Sequence, residues 1–580
     1  MSEPLALRQR LKQHMALIYP QQQPEPLIDA LLEAMALDHD ATAPPPHQNH
    51  WDQQDVVLIT YGNSIIDEDE KPLVTLDRLL TDDFAELVST VHILPFFPYS
   101  SDDGFSVIDY VSVNESLGDW GHINAIARHK KLMADLVINH MSARSAWFDN
   151  FRRRRDPGKD YFKEASPDDD LSQVVRPRNT PLLAPVQTED GERFVWCTFS
   201  HDQVDLDFAN PEVLLAFVRI IAFYLQQGIR LLRFDAVAYL WKQAGTTSIH
   251  LQQTHELIKL LRTLIECKVP DAVIITETNV PNRENLTYFG NANEAHWIYN
   301  FSLPPLLIYS LLSGDCRHLK TWAMSMPPAQ NGTTYLNFIA SHDGIGLRPA
   351  EDLLDEQELA QFINTIKSSG GMVNYRRKDG EDKPYELNIS LWDALKDTLK
   401  GGQQSLQLPR YLCAHTLMMS LEGVPAFYIH SLMATANDYR KVALTGRNRS
   451  INRGHWPINE LKAALSNGSH HQLVFDELRR QLAIRRAQPA FHPNATQFTL
   501  HLGQHLFGLW RQSPDRRQSI FAIHNISADT QPLTLADINL ASTDLWRDLL
   551  TGQHFSDRSQ QLTLGPYQCL WLSNLDYSER

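Results

Sequence analysis

Cysteine is scarce in this 580-residue chain. There are five, Cys197, Cys267, Cys316, Cys413 and Cys569, far apart and in no CxxC pair. An odd number at such spacing argues against a disulfide framework or a zinc site and for a reducing compartment. Long apolar runs are missing too. No segment reaches the roughly 20 apolar residues of a membrane span. The opening stretch MSEPLALRQRLKQHMALIYP breaks its helix-period apolar residues with charges, so it lacks a signal-peptide core. There is no positive excess: formal net charge is −16, spread along the chain. That balance argues against nucleic acid or an anionic membrane as partner. Internal repeats and low-complexity tracts are also lacking. The expectation is a cytoplasmic globular protein, too long for one core and divided into two or three domains.

Short apolar runs are what the chain has instead, alternating with helical patterns from Val56 to about Ile429. They are Val56–Thr60, Val91–Pro95, Lys131–Asn139, Ile229–Asp235, Ala272–Glu277, Ala295–Tyr299, Tyr335–Ser341 and Ala426–His430. Eight such runs separated by helices predict an α/β fold, a closed (β/α)₈ TIM barrel. The clearest helix is Pro211–Gln227, with Asn210 as cap and proline at its first position. The expected barrel comprises residues 51–140, 204–346 and 409–488. Residues 1–50 read as a helical extension. Loop-rich inserts, 141–203 after strand three and 347–408 after strand seven, interrupt the rhythm, and 489–580 read as an antiparallel β-domain. Loops this long at the carboxyl ends of barrel strands usually carry function.

Four carboxylate-bearing strings close four of the runs in order: DLVINH (Asp135–His140), RFDA (Arg233–Ala236), ITETN (Ile275–Asn279) and ASHDGIG (Ala340–Gly346). In a barrel, the carboxyl ends of strands form the catalytic face. Asp235, Glu277 and Asp343 arriving there suit glycosidic chemistry, which needs a nucleophile, a proton donor and an orienting carboxylate. Arg233, two residues before Asp235, shares its face of the strand and is expected to hold it ionised. Glu277 follows an apolar run, and partial desolvation there would raise its pKa as a general acid requires. Taken singly, an Arg-x-Asp on a strand is more often a plain ion pair. Four strings in order outweigh that reading.

These strings resemble the four signature regions of the α-amylase superfamily, glycoside hydrolase family 13, over roughly Val56 to the C-terminus. The resemblance implies Asp235 as nucleophile, Glu277 as acid/base and Asp343 as transition-state stabiliser, with His140, Arg233 and His342 lining the glucosyl subsite. Further strings resemble the sucrose-phosphorylase subfamily: SSDDGFSVIDY (Ser100–Tyr110), RPR (Arg176–Arg178), DAVAYLWKQAGT (Asp235–Thr246), FSLPPLLI (Phe301–Ile308), SHDGIG and GRNRSINR (Gly446–Arg453). By that resemblance Asp102, Phe105, Phe199 and Arg449 belong to the glucose subsite. Arg178 and Tyr385 are candidates for phosphate, with Tyr239, Asn279, Arg348 and Glu386 on the acceptor side. The family acts without metal or other cofactor.

The chain departs from sucrose phosphorylases at Glu277-Thr278-Asn279, where Glu-Val-His is expected, and at Tyr385-Glu386, where Tyr-Gln is expected. The ETN, PYELN and GLRP strings resemble a glucosylglycerate and glucosylglycerol phosphorylase branch. Glu351, Asp352 and Glu386 make the acceptor loops acidic, although Arg348 and Lys383 lie nearby, so neutral glycerol is the expected acceptor. The expected activity is retaining phosphorolysis of glucosylglycerol to α-D-glucose 1-phosphate. Glucosylglycerate or sucrose phosphorolysis is the alternative, followed by a hydrolase or transglucosidase and by a non-catalytic barrel. Partners would be the α-glucoside and inorganic phosphate, and the protein a monomer or homodimer.

Overall fold

In a computed structural model of the chain, eight parallel strands close a barrel: β1 (Val57–Thr60), β2 (Thr90–Ile93), β3 (Lys131–Val137), β4 (Ile229–Asp235), β5 (Val273–Thr276), β6 (Trp297–Tyr299), β7 (Thr334–Asn337) and β8 (Val424–Tyr428). The structure describes residues 6–38, 41–178, 180–351, 353–378, 381–538, 545–557 and 559–577. Each strand pairs with its neighbours in chain order, and β1 closes the ring on β8 through Val57 opposite Ala426. Strands β1, β2, β5, β6, β7 and β8 are buried at every position. Such strands read as unbroken apolar runs because helices cover one face and barrel-filling side chains the other.

Each of the eight apolar runs holds one barrel strand. The ends differ: β7 stops at Asn337, and Phe338–Ser341 already belongs to the loop that carries Asp343. The helix Pro211–Gln226 starts where expected, with the Asn210 side chain accepting the Glu212 amide at 3.0 Å. Helices Leu7–Ile18 and Pro24–Ala34 form the N-terminal segment. They dock on the barrel's outer helices through Arg10 on Thr263 (3.0 Å), His14 on Glu256 (3.0 Å) and the Tyr19 hydroxyl on the Phe208 carbonyl (2.8 Å).

The first long insert is loop-rich as expected, whereas the second is mostly helix and strand. The first contains Ala146–Arg152 as helix and a hairpin of Leu183–Thr188 with Gly191–Trp196. Its last strand, Gln203–Asp205, returns to pair with His140–Ser142 at the mouth of β3. The second contains the helix Glu356–Ser368 and the antiparallel pair Met372–Lys378 and Glu381–Asn388. Within the charged string NYRRKDGEDKPYELN, residues 374–378 and 381–388 are therefore strand. Ile345–Gly346 adds to this sheet, so the hairpin is fastened directly to the loop after β7. The glycines of HDGIG make that possible. A Cβ on Gly344 would sit 2.5 Å from Glu386 Cγ and 2.6 Å from the Leu387 carbonyl, and one on Gly346 would sit 2.9 Å from Asn279.

A six-stranded antiparallel sheet follows the barrel, running from Thr496–Leu500 to Cys569–Ser573. It is held to the helix Gln407–Ser420 by Trp571 Nε1 on Ser420 Oγ (2.9 Å) and by buried Arg511 on the Ser420 carbonyl (2.8 Å).

Candidate active site

The ends of β4 and β5 place two acids side by side. Asp235 is the last residue of β4, and Ala236 after it is left-handed, with φ of 51°. An alanine held there costs on the order of 1 kcal/mol. The turn aims the Ala236 amide at Glu277 Oε2, 3.1 Å away. Glu277 is the first residue beyond β5, and its own amide donates to the Phe234 carbonyl at 3.1 Å. Asp343 enters from the loop after β7.

Beneath Asp235 runs a buried line of charge. Arg233 Nη1 donates to Asp235 Oδ1 at 2.8 Å and, still more closely, to Asp135 Oδ1. The other Asp135 oxygen contacts His92 Nε2 at 2.7 Å. Burial would raise Asp135, but Arg233 and His92 reverse this and keep it below the usual carboxylate range. Asp235 moves the other way. Burial raises it, Glu277, Asp135 and Asp343 add to the rise, and Arg233, shared with Asp135, does not cancel it. The expectation that Arg233 alone fixes the charge of Asp235 is too simple, because one guanidinium serves two carboxylates. Glu277 is also raised, by burial and Asp343, against Arg233, the Ala236 amide and Arg449.

Asp343 is the acid of the three that is held low. Burial opposes its charge, but the guanidiniums of Arg449 and Arg453 keep it well below the carboxylate range. Arg449 Nη1 reaches Asp343 Oδ1 at 2.5 Å, while its Nε and Nη2 take both oxygens of Glu386 at 3.0 and 2.6 Å. Glu386 is 1% exposed, also accepts from Asn374 Nδ2 (3.1 Å), and does not line the pocket. Its assignment to the acceptor side is corrected: it braces Arg449 from behind. Arg453, from the same GRNRSINR string, donates to the His342 carbonyl (2.8 Å) and to Asp103 (2.6 Å).

The walls of the pocket separate by chemistry. One wall carries Asp102, Phe105, His140, Phe199, Gln203 and His342. Phe105 stacks on His342 at 5.1 Å, nearly parallel, and His140 Nε2 meets the Phe105 carbonyl at 2.9 Å. Burial, with Arg453 and Arg233, takes His342 down to about 3 against the pull of Asp343, so its imidazole is neutral. Gln203, which sequence reasoning missed, donates to the Phe105 carbonyl at 3.2 Å and to Asp102 at 3.4 Å. No sequence signal marks it; strand pairing with His140–Ser142 brings it in.

The other wall is cationic. Arg178, Tyr239, Asn279, Arg348, Arg376 and Tyr385 line it. Arg178 Nη1 donates to the Tyr385 hydroxyl at 2.5 Å, and its guanidinium lies 5.7 Å from the centre of the Phe199 ring. Burial pushes the Tyr239 hydroxyl up to about 12 even though Arg348, Arg178 and Arg376, which line the same pocket, all act to lower it. Arg376 was not anticipated from sequence. Arg176, the first arginine of RPR, is spent on the protein itself: it binds the Thr180 and Cys197 carbonyls and, at 3.1 Å, the Thr198 carbonyl. Arg233 lies below the pocket and does not line it. Of the acids expected to repel an anion, Glu386 is buried on Arg449 and Glu351 is paired with Arg376 at 2.7 and 3.0 Å. Asp352 lies outside the described residues. Among the described residues, no group of three His, Cys, Asp or Glu side chains could hold a metal ion. No helix among them is long and apolar enough to cross a membrane.

The family description "Alpha amylase, catalytic domain" matches residues 86–345. A glucosylglycerate phosphorylase of Escherichia coli is 39% identical over 530 residues, covering 90% of this chain and 93% of the relative. A glucosylglycerol phosphorylase of Marinobacter adhaerens is 28% identical over 449 residues, covering 75% of this chain and 88% of the relative. The crystal structure of sucrose 6F-phosphate phosphorylase from Thermoanaerobacter thermosaccharolyticum superposes with a TM-score of 0.71 at 23% identity, over 82% of this chain and 94% of that one, a likeness of fold.

Proposed function

The chain belongs to the α-amylase family and is a glycoside phosphorylase of its sucrose-phosphorylase group; from that premise we propose that it splits α-glucosylglycerate with inorganic phosphate to give α-D-glucose 1-phosphate and glycerate. The observation that carries this reading is the trio Arg178, Arg348 and Arg376, which line the pocket with Tyr239 on the acceptor side of Glu277. Both steps of such a reaction put an anion there, first the glycerate carboxylate and then phosphate. Guanidinium forks suit both. Two of the three acids that favoured neutral glycerol, Glu351 and Glu386, are held in ion pairs, which weakens the argument for it. The 39% identity to a protein named glucosylglycerate phosphorylase, against 28% to one named glucosylglycerol phosphorylase, supports the same choice.

The chemistry follows from the two raised carboxyls. Asp235 and Glu277 are both pushed up by burial, so they compete for one proton. Asp235 takes a guanidinium hydrogen bond and Glu277 only a backbone amide, so the proton stays on Glu277. The Asp235 carboxylate attacks the anomeric carbon as the bond to the glycerate oxygen breaks, and Glu277 gives that oxygen its proton. Asp343, anchored by Arg449, faces the positive charge that grows on the ring. A phosphate oxygen, held by Arg178 and Tyr385, then displaces Asp235 and yields its proton to Glu277. Two inversions return the α configuration.

The test is phosphorolysis of glucosylglycerate, glucosylglycerol and sucrose with and without phosphate, reading glucose 1-phosphate against free glucose. The reading requires phosphate-dependent α-glucose 1-phosphate from glucosylglycerate at the highest efficiency. A higher efficiency with glucosylglycerol or sucrose overturns it.

A further inference from the structure

Arg376 stands on the strand Met372–Lys378 and reaches the same pocket wall as Arg348. Its fork is divided. Nη2 serves both oxygens of Glu351, while Nε is buried without a partner, on a side chain 14% exposed. A buried N–H lacking an acceptor costs about 1–3 kcal/mol, a cost that an anionic ligand would relieve. Glu351 directly follows the short 3₁₀ turn Arg348–Ala350. The ion pair therefore fastens the turn that carries Arg348 to the hairpin that carries Arg376. Among the described residues, the carboxylate paired with Arg348 is a distant one, Glu284 at 3.6 Å.

We propose that Arg376 and Arg348 form two jaws that grip the carboxylate of the acceptor, with Glu351 positioning Arg376. The site would then select a small hydroxy-carboxylate over a neutral polyol of the same size, leaving phosphate to Arg178 and Tyr385. This rests on the glycerate reading above and assigns its specificity to particular side chains.

The experiment runs synthesis from α-glucose 1-phosphate and reads the ratio of kcat/KM for glycerate to kcat/KM for glycerol. Arg376→Gln should lower that ratio about 30-fold, the equivalent of one charge-assisted hydrogen-bonded contact. Arg376→Lys should recover part of it, since the charge returns without the fork. Glu351→Gln should lower the ratio about fivefold through KM for glycerate with kcat little changed, as expected when one exposed ion pair no longer orients its arginine. A purely structural role would depress both acceptors together; an unchanged ratio in Arg376→Gln overturns the proposal. If that variant does not fold, Arg376→Lys decides alone, and a ratio equal to that of the unsubstituted protein overturns it. An unsubstituted protein that prefers glycerol defeats the glycerate reading itself. One that prefers glycerate, with no fall in the variants, defeats only the assignment to Arg376.

Discussion

The two walls of the pocket use arginine in opposite ways. Behind the acids, Arg449 is filled by the carboxylates of Asp343 and Glu386, and Arg233 shares one nitrogen between Asp135 and Asp235. Both guanidiniums are committed to carboxylates and position the acids of the pocket. Across the pocket, among the described residues, Arg178 has no carboxylate partner and lies against the Tyr385 hydroxyl and the Phe199 ring, Arg348 has one distant acid, and Arg376 keeps a buried donor unpaired. The same residue type organises chemistry where carboxylates fill its fork and is free to receive anions where they do not. An acidic protein thus keeps three arginines on one wall of its pocket.

Substitutions separate the two halves, and the largest effect belongs to the saturated one. Asp235→Asn should lower phosphorolysis by on the order of 10⁴-fold or more, because no later step can proceed without the nucleophile. A loss below about tenfold, measured by glucose 1-phosphate release, would mean that another group attacks. Glu277→Gln should cost roughly 10²–10⁴-fold with a sugar-acid leaving group, yet far less with a fluoride leaving group that needs no proton. Equal loss with both donors would contradict proton donation.

Arg449→Lys and Arg178→Ala then test the contrast directly, each at roughly 10–100-fold, the span of one or two charged hydrogen bonds. The first should slow formation of the glucosyl-enzyme whatever the acceptor, since Asp343 loses its anchor. The second should depress kcat/KM for phosphate while sparing transfer to water. If both variants respond alike to phosphate concentration, the division between the walls is wrong. The pH profile is the mildest probe. Glu277 must be protonated, and its pKa is raised, so activity should be retained above the ordinary glutamate range and fall as pH rises through the raised value. Asp235 must be ionised, so activity should also fall toward acid. Glu277→Gln should remove the alkaline limb when measured with the fluoride donor.

Much of the barrel was legible because buried parallel strands leave unbroken apolar runs, and the three acids because each arrives at or just beyond such a run. Of the residues that the string resemblance puts in the glucose subsite, all but Arg233 line the pocket, and Gln203 joins them by cross-strand pairing. The acceptor wall was not legible. Arg176 and Arg178 look alike in RPR, and only the fold shows one bound to carbonyls and the other facing the pocket. Glu351 and Glu386 count as negative charge in sequence, but each is neutralised by an arginine far along the chain. Arg376 was hidden in a charged string that resembles a solvated loop, although the Asp379-Gly380 pair inside it is a hairpin signal. Charge is additive in a sequence and pairwise in a fold, and the sequence argument for glycerol counted it as additive.

The most direct measurement of the central claim is a competition in one vessel: α-glucose 1-phosphate with glycerate and glycerol at equal concentration, the two products counted by NMR at early conversion. A cationic acceptor wall with even one effective guanidinium–carboxylate contact predicts glucosylglycerate in excess by about tenfold or more, shrinking as salt is added. Glucosylglycerol in equal or greater amount would contradict it.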